Sequence, residues 1–176
     1  MTNTATQKYG WNVAIIYACC TIWICILLMS GYFERDVFVL HILQSLIYVA
    51  VMFLTLKRSK WGYTIGISIA VAWNFYNARN GFHQGFIFGA GFSRWREFID
   101  GHGISNPVQF IAPIGWFAHI VLILALVWAY MKSENKRWRD ILILLGGAAG
   151  TLGYFALAIA ITWPQFVPKL RAFLHI

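Results

Sequence analysis

The chain reads as an all-α protein: a polytopic integral membrane helical bundle of five transmembrane helices, with a short extracytoplasmic helix lying in the headgroup plane. Three observations predict it. Apolar segments at about 11–30, 37–56, 61–77, 110–131 and 141–162 fill most of the 176 residues, and four of them reach the ~20 residues that a helix needs to cross hydrocarbon. None shows the period-two alternation of a barrel strand, and in lipid only a helix or a closed barrel satisfies its own backbone. The composition agrees, with 60% hydrophobic and 11% charged residues and a mean hydropathy of +0.64, values that suit a bundle in lipid rather than a soluble domain. One domain, 1–176, accounts for the length.

The first segment holds all three cysteines, Cys19, Cys20 and Cys25. With no CxxC and no cysteine in any loop, they are expected to pack as small polarizable residues. The segment is too long for the apolar region of a signal peptide and has only Lys8 before it, so it is read as a span. A turn with Glu34, Arg35 and Asp36 leads into the second segment. Lys57, Arg58 and Lys60 follow that one, and Lys132, Lys136, Arg137 and Arg139 follow the fourth. The positive-inside bias therefore places both clusters in the cytoplasm, the amino terminus inside and the carboxyl terminus outside, in a cell (inner) membrane. The third segment is short and breaks at Asn74 and Asn77. It is kept as a span because omitting it would put the two basic clusters on opposite sides.

The outer connection, 78–109, contains Arg79, Arg94 and Arg96 against Glu97 and Asp100. Gly81, Gly85, Gly89 and Gly91 let it bend, and over 88–100 the residues Phe88, Phe92, Trp95 and Ile99 recur at helical spacing, which predicts the interfacial helix. Such a helix would cover the outer end of the bundle. Phe166, Leu170 and Phe173, interleaved with Lys169 and Arg171, suggest a second such element after the last span. In the fifth segment Gly146, Gly150 and Gly153 form a small-residue face expected to pack against a neighbouring helix, within this bundle before a dimer. Trp11, Trp61, Trp128 and Trp163 fall near span ends, as interfacial indoles do; Trp23, Trp73 and Trp116 do not.

Polar residues inside spans carry the functional argument, because each is costly unless it faces the bundle interior or water. On the second segment His41, Gln44, Ser45 and Tyr48 follow the i, i+3, i+4, i+7 spacing and form one stripe. Asn74, Asn77 and Asn80 end the third segment at matching depth, and His119 is the one strongly polar residue within the fourth, which Pro107 and Pro113 interrupt. The expected site is thus a polar and aromatic pocket in the outer half, formed by His41, Gln44, Ser45, Tyr48, Asn74, Asn77 and His119.

Three functions fit that pocket. The first is a binding or accessory-subunit protein that holds a lipid or a small amphipathic ligand, with membrane lipids, a larger membrane complex or a second copy as partners. The second is electron transfer through a b-type haem clamped by His41 and His119, with room for the macrocycle near Gly115. The third is an enzyme using Asp100 and His102 as an acid–base pair, or His83, His102 and Glu97 as metal ligands, although no motif here names a reaction. Nucleic acid is not an expected partner despite the net charge of +8, since the basic residues sit beside apolar segments where anionic headgroups account for them.

Overall fold

The computed structural model describes residues 10–78, 86–133, 136–168 and 171. It is all-α among them, and four of its helices are long and apolar enough to cross a membrane. Helix α1 (Trp11–Phe33) is followed by a 3₁₀ turn, Arg35–Val37, that runs into α2 (Phe38–Leu56). Helix α3 (Lys60–Ala78) has the length of a span at lower hydropathy. A π-helical stretch, Phe86–Gly91, leads into the short α4 (Phe92–Ile99), then come α5 (Pro107–Lys132) and α6 (Asp140–Thr162). Lys8, Arg79, Asn80, Gly81, His83, Gly85, Lys169, Leu170 and Phe173 lie outside the described residues.

Four helices form a ring. Helix α1 packs against α2 and α5, and α3 packs against the same two from the other side, so α2 and α5 face each other across the bundle axis. Ile16, Cys20, Val51, Ala70, Leu122 and Leu126, each fully buried, fill that axis. Cys19 and Cys20 pack in this core as expected, and Cys25 is exposed. Helix α6 stands outside the ring against α3 and, less closely, α2. Only 17% of its most apolar window is buried, against 50% for α5, so most of its leucines and isoleucines face outward.

At one end, Lys60 at the start of α3 bonds both carboxylate oxygens of Asp140 at 2.9 and 2.7 Å, and the Tyr130 hydroxyl donates to the same carboxylate at 3.0 Å. These contacts bring the α2–α3 turn and the α5–α6 connection, hence both basic clusters, to one end of the molecule. We call it the basic end. The α1–α2 turn and α4 mark the other.

Two expectations change. Pro107 and Pro113 do not interrupt the fourth helix: Asn106 caps its start by accepting from the Gln109 amide at 3.0 Å, Pro107 takes the first turn, where a missing N–H costs little, and α5 continues through Pro113. The small face of α6 also divides. A Cβ on Gly147 would come within 2.6 Å of the Thr64 hydroxyl on α3, so the close approach is made there. Gly146 lies against the Trp61 ring, whereas a Cβ on Gly150 or Gly153 would meet nothing within 4 Å. Gly147 and Thr151, one turn apart, face inward, while Gly150 lines an open apolar groove between α2, α3 and α6 with Leu46, Ala50, Trp61 and Ile65, so the helices share that face without closing on it.

The 86–99 segment docks on α5. Phe88 lies edge-on to Trp116, Phe92 to Phe117, and Phe98 to Phe110, while the Trp95 indole donates to the Phe110 carbonyl at 2.6 Å. Phe98 rather than Ile99 completes the packed stripe, and Ile99 is left 79% exposed.

Candidate binding cavity

At the end away from the basic clusters, α1, α2, α3 and α5 leave a cavity of about 400 Å³ between them. Ser30 and Glu34 from the last turn of α1 and its cap, His41 and Gln44 from the first turns of α2, Asn77 from the last turn of α3 and Gln109 from the first turn of α5 supply its polar wall. Trp23, Trp73, Phe155 and Trp163 supply aromatic wall, and Ala90 closes one side from the π-helical stretch. Gly31 explains why α1 and α2 meet so tightly here, since a Cβ on it would lie 2.8 Å from the Phe38 ring. Within the cavity wall, the Nδ1 of His41 is buried and has no hydrogen-bond partner. That is costly for a buried polar atom unless something else supplies the bond.

Beneath the cavity lies a second group, closed by its own contacts. His119 on α5 is 0% exposed. Its Nε2 is 2.7 Å from the Tyr48 hydroxyl and its Nδ1 is 3.3 Å from the Asn74 side-chain oxygen. One arrangement of protons satisfies both: the Nδ1 proton is donated to Asn74, and Nε2 accepts from Tyr48. The Trp23 ring stacks on the imidazole at 3.8 Å between centroids, tilted by 13°, and Trp73 meets both rings edge-on at 4.5 and 5.3 Å. Trp23 is fixed in turn by its indole proton, donated to the Gly115 carbonyl at 3.0 Å. Only glycine fits at 115, because a Cβ would lie 2.7 Å from that indole. Each ring helix thus contributes one or two members: Trp23, Tyr48, Trp73 with Asn74, and His119.

The residues singled out in the sequence fall into these two levels. His41, Gln44 and Asn77 line the cavity; Tyr48, Asn74 and His119 form the sealed group below. Ser45 belongs to neither, since its hydroxyl is turned back on the His41 carbonyl at 2.8 Å. His41 and His119 do not form an opposed pair: both ring nitrogens of His119 are engaged, and the space at Gly115 is filled by Trp23, so these residues do not fit a haem between them. Glu97 pairs with Arg94 and shares the Ser105 hydroxyl with it, while Asp100 and His102 are exposed. Among the described residues no three of His, Cys, Asp or Glu stand together as metal ligands, and His83 lies outside them.

Reading the stripe of α2 missed Trp23, Ser30, Glu34, Phe155 and Trp163. The available signal was the position of Trp23, an indole in mid-span rather than at a span end. Glu34 stands at the mouth of the cavity, exposed as a residue; partial burial of its carboxyl, and next the neighbouring Asp36 charge, raise it above the usual carboxylate range. Compared with protein-family models, with curated proteins and with solved structures, the chain gives no match.

Proposed function

We propose that this chain is a membrane-embedded binding protein whose cavity, ringed by His41, Gln44 and Asn77, holds a small amphipathic molecule or the polar end of a lipid. The observation that carries the reading is a cavity of about 400 Å³ at one end of the bundle, on whose wall His41, Gln44 and Asn77 converge from two helices. That volume is within the range of small-molecule sites, and a mostly apolar lining with a few convergent polar groups is what such sites share. The sealed group below supports it by giving the cavity a rigid floor. The reading extends to an accessory subunit of a larger complex, which would use the same cavity at its interface.

The proposal includes five spans with the basic end in the cytoplasm. Helix α3 starts beside the Lys60–Asp140 pair at the basic end and carries Asn77 into the cavity wall at the other, about 26 Å away at 1.5 Å per residue. In this arrangement α4, with Phe98 half-exposed and Ile99 more so, lies in the outer headgroup layer as an interfacial helix. A membrane-impermeant thiol reagent added outside should label Ser105→Cys and miss Ser133→Cys; the reverse pattern would invert the orientation.

The binding reading is tested by filling the cavity. Ala112, 3% exposed, is in its wall, and Ala112→Phe or Ser30→Leu should remove the space. Mass spectrometry of extracts from protein purified in maltoside should find a species enriched in the unaltered chain and depleted in both variants. Identical profiles from folded variants would reject the proposal.

A further inference from the structure

The charge of the cavity is opposite to that of the chain. The protein carries a net charge of +8, yet among the described residues that line the cavity the one charged side chain is an acid, Glu34. It stands with Ser30 at the mouth, and the wall below it contains the rings of Trp73, Phe155 and Trp163. A cavity whose lining combines one carboxylate with several aromatic rings is the surrounding that organic ammonium groups prefer: the ring quadrupoles attract the cation and the carboxylate balances it, while neither requires the cation to keep its full hydration. Ser30, Gln44, Asn77 and Gln109 then remain for hydrogen bonds with an adjoining hydroxyl or amide.

We infer that the cavity takes an organic ammonium group, seated between the Glu34 carboxylate and the aromatic wall. This rests on the binding reading above and narrows it to one ligand class. The ammonium could be carried by a free solute or by a lipid headgroup, and the chemistry at Glu34 is shared by both. The raised pKa of Glu34 is in keeping with the arrangement, since a carboxylate partly withdrawn from water and set beside Asp36 gains from a cation that restores its ionised form.

Choline is the probe, compared with its uncharged isostere in which a tert-butyl group replaces the trimethylammonium. Titration calorimetry on the full chain in maltoside should show choline binding at least about tenfold tighter than the isostere, the factor that ~1.4 kcal/mol gives. Glu34→Gln should remove most of that preference and Glu34→Asp should keep part of it, while both variants melt like the unaltered protein because residue 34 is exposed. Dihexanoyl phosphatidylcholine, titrated in parallel, separates the sources: binding about tenfold tighter than choline indicates a headgroup site, and equal or weaker binding a free ammonium. Equal affinity for choline and its isostere, or a preference unaffected by Glu34→Gln, would overturn the ammonium assignment. So would an absence of choline binding. A neutral or anionic species lost on filling the cavity would leave the cavity reading standing while rejecting this one.

Discussion

The two levels of the bundle solve the same problem in opposite ways. Each brings polar groups into the interior of an apolar helical bundle, where an unsatisfied donor or acceptor is costly. The lower level satisfies them internally: Tyr48, His119 and Asn74 bond in sequence, and Trp23 and Trp73 close around the imidazole. The upper level does not. Its polar side chains surround a space, and one ring nitrogen of His41 is left without a partner. Trp23 and Trp73 take part in both, lining the cavity and packing on His119. The difference teaches that a polar stripe on one helix can serve structure at one depth and recognition a turn away, and that each residue's partners decide which.

The largest expected effect comes from breaking the closed level. His119→Ala leaves Tyr48 and Asn74 without their shared partner and opens a void under Trp23; the lost packing and the two unpaired groups together should cost about 3 kcal/mol or more, read as a steep fall in melting temperature in detergent. His119→Phe keeps the stacking and loses only the hydrogen bonds, so it should fall between. His41→Ala, by contrast, should leave the melting temperature almost unchanged and weaken ligand retention. If His41→Ala destabilised as much as His119→Ala, the division between the levels would not hold.

A smaller effect sharpens the same comparison on α6. Gly147→Leu drives a side chain into Thr64 and should cost ~1–3 kcal/mol, whereas Gly150→Leu extends into open space and should change stability by less than about 0.5 kcal/mol. Equal destabilisation by both would mean that a neighbour, such as a second copy, covers the outer glycines. Thermal melting of the two variants at low and high protein concentration checks it.

The helical class and the positions of the four long apolar helices were legible in the sequence because unbroken apolar runs of that length have few ways other than a helix to satisfy their own backbone. The α2 stripe was legible for a similar reason, since its spacing needs only one helix. The split of that stripe was not. Tyr48 differs from Gln44 through contacts made by other helices, Ser45 turns its hydroxyl back on its own helix, and the partners of His119, residues 48 and 74, lie far from it along the chain. Pro113 misled because an interior proline usually interrupts a helix, yet α5 continues through it, with Trp95 bonded to the nearby Phe110 carbonyl. Gly150 misled because spacing shows which glycines share a face without showing how closely a neighbouring helix approaches each of them.

Gln44 and Ser45 offer the most direct test, being adjacent on α2 and equally buried at 7% exposure, yet only Gln44 lines the cavity. With Cys19, Cys20 and Cys25 replaced, Gln44→Cys and Ser45→Cys should be exposed in turn to a small charged thiol reagent. The account predicts that the cysteine at 44 reacts at least about tenfold faster and that added ligand slows it, because a reagent reaches a group only through space that admits water. Equal rates at the two positions would contradict the existence of an accessible cavity distinct from the sealed core.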